Sequence, residues 1–251
     1  KIRMTQDTNG MSVLGHVKEL RKRLLISVIA LVATTIISFT FSQQLAQILA
    51  GPIGGLSAME SIDVTENVTA FMKISLLAGV VLALPIIVYE IFAFIMPGLN
   101  PKERKWVWFM IPLATLFFAG GVLFAYFFRL PTALPFLLNF MGITTAPRPS
   151  TYFGFVLNLL FWVGLAFELP LIVFLLARLG LITARQLLKQ WRIAIIVIAI
   201  LSALITPTPD PVNMTLMMLP LFTLYLISIL FAVIAGRSRM KAREGDGEVA
   251  G

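Results

Sequence analysis

The sequence predicts an all-α membrane protein, six transmembrane helices with both termini in the cytoplasm, on three observations. Of 251 residues, 59% are hydrophobic and 13% charged, too little polar surface to coat a water-soluble globule of this length. Six apolar stretches recur along the chain, separated by breaks rich in proline, glycine or charge. All of the 20 lysines and arginines except Lys73, Arg129 and Arg148 fall in four clusters, at residues 1–23, 102–105, 178–192 and 237–243. A six-span threading puts all four on one side, and basic clusters mark the cytoplasm. The net charge of +8 therefore reports orientation, and no nucleic-acid partner is expected.

The leader, residues 1–23, contains an amphipathic helix. Val13, Val17, Leu20 and Leu24 recur at steps of four, three and four, while His16, Lys18, Glu19, Lys22 and Arg23 fall on other faces. Ser12 is placed to cap it. Residues 24–41 hold 18 positions without a charge. That is about 27 Å of helix, enough for a hydrocarbon core about 30 Å thick. No small-residue cleavage site follows, so this first span is expected to remain.

Residues 42–67 carry Gly51-Pro52, Gly54-Gly55 and the acids Glu60, Asp63 and Glu66 without a base, and are read as an external loop. Span two is 68–95, with Pro85 inside it and Lys73 and Glu90 toward its ends, both placed to snorkel. The loop 96–106 is read as cytoplasmic, and span three as 107–128. Residues 129–150 form a proline-rich external loop, and span four, 152–177, contains Glu168 followed by Pro170. Thr183 is placed to cap a short helix in the third basic stretch. Span five, 193–205, has 13 residues, about 20 Å and short for a bilayer. The turn Thr206-Pro-Thr-Pro-Asp-Pro211 leads to span six, 212–235. A single six-helix domain, 24–235, is thus followed by a polar tail, 236–251, expected to be disordered.

A catalytic constellation is hard to assemble. His16 is the single histidine, cysteine is absent, and no phosphate-binding glycine loop occurs; no enzyme, cofactor or metal is expected. Glu168 lies where an ionised carboxylate costs at least ~2.5 kcal/mol on insertion scales, so it faces the bundle interior. A helix-gluing acid and a polar cavity used in transport or partner contact both fit. Glu19 has Arg23 four residues on, a pair worth about 0.3–0.5 kcal/mol, and Glu103 has Arg104 and Lys105 beside it. Asp210, between two prolines, suits a turn.

Six stretches together resemble one family. They are His-Val-Lys-Glu-Leu-Arg-Lys-Arg-Leu at 16–24, Pro52, Leu-Pro-Ile-Ile-Val-Tyr-Glu-Ile-Phe-Ala-Phe-Ile-Met-Pro-Gly-Leu at 84–99, Lys-Glu-Arg at 102–104, Phe-Glu-Leu-Pro at 167–170 and Thr-Pro-Thr-Pro-Asp-Pro at 206–211. In this order they resemble TatC, the signal-peptide receptor of the twin-arginine protein translocase, over roughly residues 12–236. The resemblance implies a cupped, glove-like bundle with spans five and six short, and binding rather than catalysis. It implies that Glu19 and Glu103, with Arg21, Phe94 and Arg104, receive twin-arginine signal peptides of folded cargo. Glu168 takes the place of the family's intramembrane glutamate, and Pro52 and Asp210 those of its external-loop positions. TatA-type and TatB-type single-span partners, an oligomeric active complex, membrane lipid and a protonmotive-force drive are implied with them. Two positions depart from the family: Glu90 stands where glutamine is common, and Pro-Val-Asn-Met follows Asp210 where a Ser-Gln pair is common. From another class, a small-solute transporter centred on Glu168 and Lys73 also fits the residues.

The threading has a direct test. Single cysteines replacing Ser57 and Ser150 in this cysteine-free chain are expected to react with a membrane-impermeant maleimide from the external face. Reaction from the cytoplasmic face alone would invert the topology.

Overall fold

The computed structural model describes residues 13–95, 101–138, 146–206 and 211–248, with side chains described for these residues other than 13–14, 95, 101–107 and 237–248. The described residues form helices joined by turns and contain no strand. The order is α1 Val13–Phe39, α2 Ser42–Ala50, α3 Glu66–Ile95, α4 Pro101–Phe124, α5 Leu130–Leu138, α6 Pro149–Phe167, α7 Leu169–Leu179, α8 Ala184–Lys189, α9 Trp191–Ile205 and α10 Pro211–Glu248. Among the described residues five stretches are long and apolar enough to cross a membrane, Gly15–Phe39, Glu66–Phe94, Trp108–Leu138, Pro149–Leu179 and Pro211–Gly236, and Trp191–Ile205 is a shorter sixth.

α1 and α3 run antiparallel, and three contacts along them fix the register. His16 lies against Phe94, Arg23 reaches Glu90, and the Thr34 hydroxyl donates to the Gly79 carbonyl at 2.8 Å. A Cβ at Gly79 would come within 2.8 Å of the Thr35 Cα, so only glycine lets the two backbones approach this closely. The outer side of α1, with Leu24, Leu25, Val28, Ile29, Val32 and Ile36, is exposed and faces lipid.

α6 packs against α3, α4, α9 and α10 and supplies much of the core. Val156, Leu160 and Val163 pack with Ile74 of α3, Leu130 and Leu134 of α5, and Met217 and Leu221 of α10. Another glycine crossing joins α4 to α6, where a Cβ at Gly121 would lie 2.8 Å from the Gly164 Cα. Thr183 caps α8 as expected, its side chain accepting from the Gln186 amide at 3.3 Å while Gln186 accepts from the Thr183 amide at 2.8 Å. Gly180, at φ 78°, closes α7 in the left-handed conformation.

The leader does run directly into the first span as one helix, α1, because no residue between 13 and 39 breaks the pattern. Several expectations are corrected. The stretch 42–67 holds a helix, α2, whose Ser42, Ala46 and Ala50 recur every four residues and are buried. The loop expected at 129–150 is helical to Leu138. A π-turn at Ala125–Arg129 shifts the hydrogen-bond register just ahead of Pro131, so the donor proline lacks falls where the ladder is already disrupted. Shortness belongs to span five alone, since the apolar part of α10 covers 26 residues. α10 extends to Glu248.

Gly79→Val is expected to force α1 off α3, an overpacking cost of about 1–3 kcal/mol, and to lower the thermal midpoint in detergent. Gly120→Ala is the control, since a Cβ there meets nothing within 4 Å. Equal midpoints for the two variants would show that the close approach at Gly79 is not needed.

Candidate functional site

The antiparallel α1–α3 hairpin gathers charge at the end where α3 finishes. His16, Glu19 and Arg23 share one face of α1 at steps of three and four, and Glu90 and Phe94 share one face of α3. Arg23 donates through Nε at 3.1 Å and Nη2 at 2.6 Å to the same oxygen of Glu19, and through Nη1 at 3.0 Å to Glu90. Side-chain exposure is 24% for Arg23, 22% for Glu19 and 9% for Glu90, so one carboxylate of the pair is reachable and the other is enclosed. The Phe94 ring lies 5.1 Å from the imidazole of His16, a lid of apolar surface beside the charges. Arg21, two positions before Arg23, is exposed.

Glu103 and Arg104 lie in the first turn of α4, where an acid is favoured by the helix dipole. Their side chains fall outside the described set. Residues 96–100 join α3 to α4, so the start of α4 is within about 22 Å of the α3 terminus by chain length alone. Asp210 lies outside the described residues. Pro52 sits in a 3₁₀ turn, Gly51–Ile53, directly after α2. The last turn of α2, just before it, is held by two tyrosines, Tyr126 donating to the Ile48 carbonyl at 2.7 Å and Tyr152 to that of Leu49 at 2.8 Å.

Glu168 occupies the joint between α6 and α7. Pro170 has no N–H for the ladder, which is resumed by Leu171 and Ile172 donating to the Glu168 carbonyl, each at 3.0 Å. The side chain is 9% exposed, and its Oε1 has no hydrogen-bond partner among the described residues. Among those residues no group of three His, Cys, Asp or Glu side chains could hold a metal ion.

Comparison with known proteins bears on this arrangement. The family model described as Sec-independent protein translocase protein (TatC) matches residues 15–220. The chain belongs to the TatC family. The TatC protein of Carboxydothermus hydrogenoformans is 39% identical over 241 residues, covering 95% of this chain and 97% of that protein. That of Deinococcus radiodurans is 40% identical over 233 residues, 88% and 86% of the two chains. The chloroplastic TATC of Pisum sativum is 34% identical over 235 residues, 92% of this chain and 66% of that one. A crystal structure of the twin arginine translocase receptor TatC superposes with a TM-score of 0.75 at 36% identity, over 88% of this chain and 99% of that one. The motif resemblance is borne out, and with it a multi-pass membrane protein of the all-helical TatC fold.

Three charged residues have partners that sequence reasoning missed. Glu90, read as a snorkelling residue, is the enclosed partner of Arg23; Lys73 is exposed and belongs to no such pair with it. Arg129, read as part of an external loop, is buried and donates through Nη2 to the Asn213 carbonyl at 3.3 Å. Glu66, read as a loop acid, accepts from Arg148 at 3.2 Å and from the Ser150 hydroxyl. The spacing of Glu90 and Phe94, one turn apart and facing a leader whose His16 and Arg23 lie two turns apart, is the signal that finds the first.

Glu168→Leu is expected to leave the thermal midpoint within a few degrees of the parent, because its Oε1 gives up no hydrogen bond, while export by a complemented TatC-deficient strain falls. A Leu variant with parental export would leave Glu168 without a functional role.

Proposed function

We propose that this TatC-family chain is the receptor subunit of the twin-arginine translocase, binding the paired arginines of signal peptides on folded cargo at its cytoplasmic face. The observation that carries the reading is the partly exposed Glu19 carboxylate, already holding a guanidinium at 2.6 and 3.1 Å beside the Phe94 ring. This is a receptor component of a translocase, with no reaction assigned to it. The four basic clusters support a cytoplasmic position for the leader, the α3–α4 loop, α8 and the end of α10.

In this reading Glu19 and Glu103, 84 positions apart in the chain, converge on one surface with Arg21, Phe94 and Arg104. A guanidinium is a planar fork that matches a carboxylate with two parallel hydrogen bonds, whereas an ammonium is a point charge. Two carboxylates on rigid helices therefore select paired arginines over paired lysines. TatA-type and TatB-type single-span proteins assemble on the spans into an oligomeric complex that the protonmotive force drives. Glu168, enclosed at the α6–α7 joint, is the intramembrane polar contact for such partners, and Pro52 and Asp210 shape the external loops.

Binding of a twin-arginine signal peptide to the detergent-solubilised protein tests the assignment. Charge-assisted hydrogen bonds contribute about 1.5–3 kcal/mol each, so Glu19→Gln or Glu103→Gln is expected to weaken binding on the order of ten- to a hundredfold. Glu244→Gln near the end of α10 is the control. Affinities within twofold of the parent for both site variants would sink the assignment.

A further inference from the structure

Arg23 already occupies the acceptor that a peptide arginine needs. Its Nε and Nη2 both bond Oε1 of Glu19, at 3.1 and 2.6 Å, so a second guanidinium cannot form a two-point fork on that carboxylate until Arg23 lets go. Letting go would leave a cation half-buried without a partner, were it not for Glu90. That carboxylate already accepts from Nη1 at 3.0 Å and, at 9% side-chain exposure, is itself too enclosed to serve a ligand directly. It comes from a different helix, 67 positions away in sequence. Arg23 can thus swing off Glu19 about the Nη1 contact without either buried charge becoming unpaired.

We propose that Arg23 is an internal competitor for the peptide's arginine on Glu19, and that Glu90 is the positioning residue that retains Arg23 when the peptide displaces it. The inference rests on the receptor reading above and deepens it. Exchange of one guanidinium for another on Glu19 keeps the count of charged hydrogen bonds nearly constant, so arginine enters at little cost. A lysine would have to displace a two-bond guanidinium with a single-point ammonium, and is rejected. The competitor therefore lowers affinity for every cationic peptide but raises the ratio of twin-arginine over twin-lysine binding.

The test is peptide affinity, twin-arginine and twin-lysine, for four variants of the full chain in detergent, each with its thermal midpoint. Glu90→Gln leaves Arg23 with Glu19 as its one charged acceptor and is expected to weaken twin-arginine binding about three- to tenfold. Arg23→Gln combined with Glu90→Gln removes competitor and retaining group together. It is expected to bind the twin-arginine peptide about three- to tenfold more tightly than the parent, and the twin-lysine peptide by a larger factor still. Arg23→Lys keeps the charge and the Glu90 partner but loses the two-bond hold, and is expected to move both affinities the same way as the double variant. Should Glu90→Gln not fold, the Lys variant decides alone. Lys22→Gln, an exposed neighbour on the same turn, removes an equal charge without touching Glu19 and is expected to stay within about twofold of the parent. A purely structural ion pair would shift midpoints and leave the arginine-to-lysine ratio at its parental value, which would overturn the proposal. A parent that binds no twin-arginine peptide would overturn the receptor reading and the proposal together; a parent that binds normally while the Arg23 variants do not gain would overturn the proposal alone.

Discussion

The close crossing of α1 and α3 at Gly79 is the contact on which the charged end of the molecule depends. α1 offers most of its surface to lipid, and lipid supplies no hydrophobic drive to hold a helix in place. What holds it is close backbone approach at Gly79 with the Thr34 hydroxyl donating across the gap, and the pairing of Arg23 with Glu90 nearer the end. The first sets the distance between the helices and the second their rotation. Only with both fixed do Glu19 and Arg23 of one helix and Glu90 and Phe94 of the other meet as a single surface.

Pairing of charges accounts for Arg23 and Glu66 but not for every ionisable group along the spans. Arg23 is shared between two carboxylates, and Glu66 collects Arg148, Ser150 and the Ile62 amide, the last at 3.2 Å. Arg129 donates to a main-chain carbonyl, and Lys73 stays exposed. Breaking such a pair on one side costs more than never having built it, because the remaining charge is left in low dielectric. Glu66 ties the start of α3 to the segment before α6 in this way, together with the Glu60 amide donating to the Pro147 carbonyl at 3.3 Å.

The spans were legible because lipid solvation writes them as apolar runs of a length set by the bilayer. Thr183 was legible because a capping box is a local pattern read within four residues. Where the chain is helical outside those runs, the sequence misleads. Pro131 and Pro135 speak against a helix over 130–138, and the π-turn that makes room for the first of them has no signature of its own. α2 is too short to register as a span and too helical to be a loop. Of the proposed site, Glu19, Arg21, Phe94 and Glu103 are named by the motif resemblance alone, whereas the Glu19–Arg23 pair was legible from spacing and is formed. Glu90 was not legible, because its partner is 67 positions distant and the pairing exists only once the α1–α3 register is set.

Glu90 and Glu168 show how little residue type alone decides in a membrane protein. Both are glutamates near the level of the spans, both are buried, and both stand out in a chain with 12 acids. Glu90 faces an arginine one helix away and is a fixed counter-ion. Glu168 sits at a joint that Pro170 has opened in the hydrogen-bond ladder, with Oε1 left without a partner among the described residues. An enclosed carboxyl oxygen with no bond to lose is costly in the isolated chain and cheap to satisfy from outside it. The first glutamate thus stabilises what the chain already is, whereas the second keeps a carboxyl oxygen that no group among the described residues satisfies.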